Sequence, residues 1–568
     1  MKPILTLCLL CVASAGTAQT LSLAPIFGSG GIITADVAVE EDNLKSHALL
    51  PDGRLIVAGD GYDLGTNSYH ITMVAIDPAC GAFDQDFGTA GKLSHMFEQR
   101  TRCYGIAAQP DGKIVGCGMI APNNFGSEQW PAVYRFHGDG SVDTSFNHTG
   151  YHRLQLGTGA ADLNKVFVNA DGTITCAAAS FPGQLGAMRF LENGALDTTF
   201  NHTGVTSVQL PNFSQSSEGT GVMLPDGSVV SIVVGFSGID YMLMLAKFDA
   251  QGAPDTTFGN NGLVVGTVPV RSFGRMGAAV EPGGAIVVSC SRTTASITVV
   301  ARFLSDGSVD PSFGTSGYSE IDASAGGDGL GNGLLLLPDG SSLQFGRVSS
   351  IGGLVKRDAN GQPVATFGSG GLLGVNAGLP GFQVFMSGAL MPDGRIIAYG
   401  DANTNEVYIA KLTEDPVADG PPVISLIGTD LTTTGSGAIQ WFLDGLPIGG
   451  ATSSSYTPTA NGTYTVTLTL SPSCAFTSDP FNLINLGTMD HGTNTVQLLD
   501  NPVTDVLVVL NAGPMTWYEI TSVAGHRIGS GVLQGERTEI GMAHLAKGVY
   551  LLRTGTTHGS TVARIIKQ

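Results

Sequence analysis

The chain has 568 residues, a formal charge of −20 and only 27 Lys and Arg, so it lacks the clustered cations that nucleic-acid phosphates require. Charged residues make up 13% of the sequence, against roughly a quarter in ordinary soluble domains, while glycine reaches 80. The apolar content excludes a disordered chain, and the length exceeds what one core holds, so several domains of short strands and tight turns are expected.

The N-terminus reads as an address. Met1-Lys2 is a short basic start, Ile4 to Ala13 is an apolar run, and the small residues Gly16 and Ala18 suit cleavage before Gln19. Residues 1–18 are therefore expected to be a signal peptide. No later stretch reaches the 18 or so apolar residues of a spanning helix, so no transmembrane segment is expected.

Two phrases then alternate along residues 22–412. An F-(G/N)-x-x-G turn starts at Phe27, Phe87, Phe146, Phe200, Phe258, Phe313 and Phe367, a period of 54–60 residues. A P-D-G turn, or its variant, centres on Asp52, Asp111, Asp171, Asp226, Gly283, Asp339 and Asp393. Repetition at this period marks a solenoid, propeller or array. In the unit from Phe258, strands are predicted at 262–266, 277–280, 285–290 and 297–303, with the P-D-G turn closing a hairpin. The strand after that turn is apolar throughout, as in Lys113-Ile114-Val115-Gly116-Cys117, which implies burial on both faces. Radial packing of four-stranded sheets supplies that burial and protects edges. The predicted fold class is all-β: a seven-bladed β-propeller, an immunoglobulin-like β-sandwich, then a small C-terminal β-sandwich. The last unit lacks the F-G-x-x-G phrase that Phe27 supplies at the other end, so contact is predicted between residues 22–39 and 405–413. L-D-T-T-F at 196–200, P-D-T-T-F-G at 254–259 and V-D-P-S-F-G at 309–314 resemble the delta-60 repeat. That resemblance implies a propeller on a bacterial secreted protein, with no agreed activity.

One charge recurs in each unit. A basic residue ends the fourth predicted strand at Arg135, Arg189, Lys247, Arg302, Lys356 and Lys411, and an acid precedes the repeated Phe by three residues at Asp84, Asp143, Asp197, Asp255 and Asp310. Four complete pairs, Arg135–Asp143, Arg189–Asp197, Lys247–Asp255 and Arg302–Asp310, are expected to be structural ion pairs. The competing reading is a basic ring lining the central channel. Unit one has Ala75 in place of the base and unit seven Val364 in place of the acid. The aspartates raise calcium as a candidate, but there is no D-x-D-x-D-G loop, and D-G and D-T-T suit Asx turns, so no cofactor is predicted.

No G-x-S-x-G elbow, H-E-x-x-H pair or G-K-[ST] loop appears, and no catalytic or metal site is assigned. His148 and His202 occupy equivalent turn positions. Outside the signal segment there are six cysteines without C-x-x-C spacing. Cys117, Cys176 and Cys290 read as buried thiols, whereas a disulfide between Cys80 and Cys103 is left open.

After Leu412, residues 413–422 read as a Pro- and acid-rich linker. Residues 423–486 carry W-F-L-D-G from Trp441 and N-G-T-Y-T-V from Asn461, which resemble immunoglobulin-like modules of bacterial surface proteins. Cys474 has no partner within that module. Residues 494–568 carry, in order, Asn501-Pro502 with Asp505, a V-x-G turn at Gly525, L-x-x-G-V-Y-x-L-R with Gly548, Tyr550 and Arg553, and a terminal I-I-K-Q with Lys567. This order is similar to the type A sorting domain of the type IX secretion system. The resemblance implies passage across the outer membrane by that machinery, and release or surface attachment in a Gram-negative bacterium. The expected function is non-catalytic binding or adhesion toward an extracellular glycan or protein ligand. A secreted enzyme acting on polysaccharide or peptide is the alternative.

Overall fold

A computed structural model describes residues 21–568 except 38–40, 124–128, 156–160, 182, 211–218, 271–274, 293–296, 323–331, 403–405, 415, 417–418, 485–495, 500, 512–515, 524 and 556–559. The predicted signal peptide lies outside the described residues. Every described element is a strand, apart from one-turn 3-10 segments at Phe146–His148 and Phe200–His202.

Residues 22–413 form seven antiparallel sheets among the described residues. We number them one to seven over residues 41–95, 100–153, 163–209, 220–269, 277–322, 334–375, and 383–413 with the N-terminal strands. Within each sheet the first strand is innermost. It touches the first strand of the next sheet, and Gln383–Leu390 of sheet seven touches Glu41–Leu49 of sheet one, so the ring is closed. This is a β-propeller. The strand after the P-D-G turn is buried along its whole length in sheet two, Ile114–Ala121. Its cover comes from both sides: Ile56, Ala58 and Met73 of sheet one share one core with Cys103, Ile106 and Tyr134 of sheet two. Val115, Cys117 and Val133 face sheet three.

The sequence repeat and the sheet are offset by one strand. Leu263–Pro269, which opens the unit at Phe258, pairs with Tyr241–Phe248 and so becomes the outer strand of the preceding sheet. The turn causes this offset. Gly262 donates to the Phe258 carbonyl at 2.9 Å and the Lys247 amide donates to Gly262 at 3.1 Å, which folds the new strand back onto the old hairpin. The offset also closes the ring. Ile32–Ala35 pairs with Val407–Thr413 through Ile32↔Ala410 and Ala35↔Val407, and Ser22 pairs with Thr413. The predicted contact between the two ends is therefore made by a strand from one terminus completing a sheet from the other.

A sandwich follows. One sheet holds Ile424–Ile427, Asp430–Thr433 and Ser455–Tyr456; the other holds Leu446–Pro447, Ala438–Leu443, Gly462–Ser471 and Cys474–Thr477. Trp441 is fully buried between them, with its indole N–H donating to the Ser453 carbonyl at 2.9 Å. Buried Trp needs such a partner for its polar edge.

Two expectations about cysteines and the linker change here. Cys80 bonds to Cys474, with 5.8 Å between Cα atoms, while Cys103 is a buried free thiol. A Cys80–Cys103 bridge is thus excluded, and the partner that Cys474 lacks in its own sandwich lies in the propeller. Sequence distance hid the pair, since 394 residues separate the two. Beside the disulfide, Asp77 accepts from the Ser471 and Ser473 hydroxyls at 2.5 Å each. In the segment read as a linker, Asp419 is buried and forms an ion pair with Arg395 of sheet seven.

The C-terminal residues form a separate compact unit. Its two sheets, Val496–Leu499/Val506–Asn511/Arg537–Gly541 and Arg527–Val532/Trp517–Ser522/Gly548–Gly555/Ser560–Lys567, enclose Val503, Leu507, Ile520, Leu552 and Ile565.

Candidate functional site

The recurrent charges sit between neighbouring sheets. Arg135 pairs with Asp143 at 2.7 Å, Arg189 with Asp197 at 2.6 Å, Lys247 with Asp255 at 2.9 Å and Arg302 with Asp310 at 2.7 Å. Each arginine also reaches the next sheet: Arg135, Arg189 and Arg302 donate to the carbonyls of Glu192, Ala250 and Ala359 at 2.6, 2.6 and 2.8 Å. Lys411 of sheet seven donates to the Pro78 carbonyl of sheet one at 2.8 Å, carrying the same stitch across the closure. In sheet one, where Ala75 replaces the base, Arg54 from the P-D-G turn pairs with Asp84 instead. The other aspartate oxygen accepts inside its own turn, as Asp143 does from the Ser145 amide at 3.1 Å.

The F-(G/N)-x-x-G phrase belongs to the same joint. Phe146 lies under the Arg135 guanidinium, 4.7 Å from the ring centre, and against Gly194 of sheet three, where a Cβ would come within 2.8 Å of the ring. The next residue, Asn147, donates its amide to the Asn193 carbonyl at 2.7 Å. Gly28→Cys80, Gly88→Asp139, Asn201→Gln251, Gly259→Asp306 and Gly314→Asn360 repeat that bond around the ring. Asn147 and His148 take positive φ of 48° and 63°, which places His148 as part of the turn.

The channel at the centre of the ring is lined by different residues. A cavity of about 110 Å³ opens among the inner strands, and it draws one residue from the same place in every sheet: Lys45, Tyr104, Asn164, Gly219, Met276, Asn332 and Met386. Each stands seven positions before the centre of its P-D-G turn (45 before 52, 104 before 111, 386 before 393). In four sheets the pairing register slips there. Leu44 and Ser46 pair with Gly59 and Ala58, leaving Lys45 as the extra residue, and Tyr104, Asn164 and Met386 are extra in the same way. A bulge re-aims one side chain and interrupts the alternation of faces. Here it turns a residue of a two-sided, buried strand into the channel.

Three cations meet at this cavity: Lys45, Lys165 and Arg275. Lys45 pairs with Asp60 at 2.7 Å, Arg102 binds the same carboxylate at 2.9 Å, and the Lys45 ammonium lies 4.3 Å from the Tyr104 ring centre. Arg275 donates to Asn43. Lys165 has no carboxylate partner among the described residues, and burial holds its pKa below the usual lysine range, opposed by the Cys117 thiol. Nearby, burial and then the Lys165 charge push the pKa of His47 down to about 3, so this ring is neutral and shares a 3.0 Å hydrogen bond with the Tyr399 hydroxyl. Burial raises Asp401 to about 7 against the pull of Arg275, the Leu44 amide at 3.3 Å, and Lys45. Gly277 and Gly333 keep the channel narrow, since Cβ atoms there would come within 2.3 Å of Leu334 N and Ser387 Oγ. Sequence reasoning missed all of these channel residues. The available signal was a position seven before the turn centre that does not repeat from unit to unit.

In the C-terminal unit Asn501 holds the last strand, Ser560–Lys567. The Asn501 side chain donates to the Arg564 carbonyl at 2.7 Å and accepts from the Ile566 amide at 2.8 Å. Pro502 follows it across a cis bond, the Asp505 backbone carbonyl accepts from the Met542 amide at 2.7 Å, and the Tyr550 hydroxyl donates to the Ala546 carbonyl at 2.8 Å. Gly525 takes a φ of 81°, open to glycine without strain. Gly548 opens Gly548–Gly555, in which Arg553 donates to Ser560 Oγ at 3.1 Å, and Lys567 is buried.

Residues 109–146 and 286–313 match a β-propeller domain family of unknown function, DUF5122. Residues 500–568 match the secretion system C-terminal sorting domain. The chain is a β-propeller protein with a C-terminal sorting domain. That domain places the propeller protein outside the cell or on the outer-membrane surface of a Gram-negative bacterium, and implies export by the type IX machinery. No curated protein matches the sequence. Among solved structures, the propeller protein is similar to a protein of unknown function from Dyadobacter fermentans (12% identity, 67% of this chain and 99% of that one, TM-score 0.33). It is also similar to the polysaccharide lyase Uly1 (11%, 69% and 92%, 0.39) and to the propeller domain of the Trilobed protease from Pyrococcus furiosus (12%, 67% and 95%, 0.35). No described helix is long and apolar enough to cross a membrane.

Proposed function

We propose that this is a non-catalytic extracellular binding protein that takes its ligand at the mouth of the propeller channel. The observation that carries this reading is the variable ring of channel residues set into an otherwise repeated scaffold: the repeats supply joints, while the channel positions, with Lys165 and Arg275 beside them, supply chemistry. Strand direction supports an accessible mouth. The inner strands begin at the opposite end of the sheets from the P-D-G turns and from the 77–80 turn that holds the sandwich. The recurrent Arg/Lys–Asp pairs have a structural role in this reading, and the sandwich acts as a spacer.

Acid–base catalysis would need two titratable groups facing a common space. Asp60 is committed to Lys45 and Arg102, and Asp401 takes the Leu44 amide and does not line the cavity. The test is a glycan array probed with the full-length protein, followed by product analysis of each retained glycan. Saturable retention with intact glycan supports binding; shortened or unsaturated products overturn it.

A further inference from the structure

Resting on that reading, we infer that the channel cavity is a subsite for a small hydroxylated carboxylate, no larger than a single sugar acid. Three observations converge on this class. The first is charge. In a chain of net charge −20, Lys45, Lys165 and Arg275 meet at one cavity, and Asp60, the closest carboxylate to Lys45, is shared with Arg102. Lys165 lines the cavity and pairs with no carboxylate among the described residues, so an incoming anion supplies the charge it lacks. A charge-assisted bond to a carboxylate is stronger than a neutral one, and the low dielectric of a narrow channel strengthens it further.

The second observation is size. A space of about 110 Å³ holds several waters or one small molecule, below the 300–1,000 Å³ of a drug-sized pocket. A polysaccharide segment cannot lie in it, whereas one terminal acid can. The third is the rest of the wall. Asn332 and Ser387 bring an amide oxygen and a hydroxyl of the kind that read hydroxyls, the Asn332 amide nitrogen being taken by the Phe385 carbonyl at 3.0 Å, and a bare inorganic anion does not use such groups. Bulges add to this wall, because Lys45, Tyr104 and Asn164 each line the cavity as the extra residue of their strands.

Calorimetric titration of the full chain with glucuronate, glucose and sulfate tests the assignment, using wild type, Lys165→Gln and Lys165→Arg. Saturable glucuronate binding is expected, with glucose silent and sulfate at least tenfold weaker. Lys165→Gln is expected to weaken glucuronate at least tenfold and Lys165→Arg to retain most of it, with unchanged thermal melting for both. Equal binding of glucuronate and glucose, equal binding of sulfate, or a Lys165→Gln protein that binds as wild type each overturns the inference. If glycans are retained on the array while free glucuronate is silent, the subsite falls and the binding function stands. Silence in both assays removes both.

Discussion

Asp401 shows how a residue can resist the fold that contains it. Burial raises its pKa from 3.8 to about 7, although Arg275, the Leu44 amide and Lys45 favour the charged form. The folded state therefore keeps a proton that the unfolded chain has lost between those pH values, so this group's contribution to stability falls as pH rises from about 4 through 7. The limit is about 4 kcal/mol, reduced by whatever water the channel admits. Asp401→Asn keeps an acceptor for Leu44 and removes the titration. Thermal melts at pH 4 and pH 8 should show the variant gaining on wild type at pH 8 by several degrees, with little difference at pH 4. An equal difference at both pH values would mean Asp401 is not held protonated.

At the scale of elements, the repeated text specifies joints between sheets. Arg135 ties its own turn through Asp143, the next sheet through Glu192, and the ring of Phe146, with both charged partners nearly inaccessible. Removing one partner of a buried pair leaves the other uncompensated and costs about 3–5 kcal/mol. Arg135→Met should lose that order of stability in urea unfolding, while Arg135→Met with Asp143→Leu should recover part of it. This pairing was legible because base and acid keep the same spacing in four units; the second bond, to the neighbouring sheet, was not, because its acceptor is a backbone carbonyl with no side-chain signature. The channel was equally hidden. Lys45 and Asn164 sit at bulges, and a bulge is a property of pairing with the next strand, which the sequence of one strand does not display.

For the whole molecule, the Cys80–Cys474 bond and the Asp77 contacts to Ser471 and Ser473 join the sandwich to the closing turn of the ring. A cross-link of this kind contributes about 2–4 kcal/mol, chiefly by restricting the unfolded chain. Cys474→Ser should lower the melting temperature and speed proteolysis between residues 413 and 430, with the sandwich and propeller recovered as separate fragments. A variant as resistant as wild type would assign the attachment to noncovalent contacts alone. Export fits this cross-link, since disulfides persist in oxidising compartments.

Sequence alone determined the features that recur or stand in fixed order: the sheet-forming repeat, the meeting of 22–39 with 405–413, the Arg/Lys–Asp spacing and the sorting motif, because each is written in neighbouring residues and local turn chemistry. Tertiary structure decided which sheet owns the outer strand, which cysteine Cys80 meets, and which side chains the channel receives. Those outcomes depend on pairing between segments tens to hundreds of residues apart, and a single-residue slip in that pairing reverses the direction of a side chain without changing a letter of the sequence.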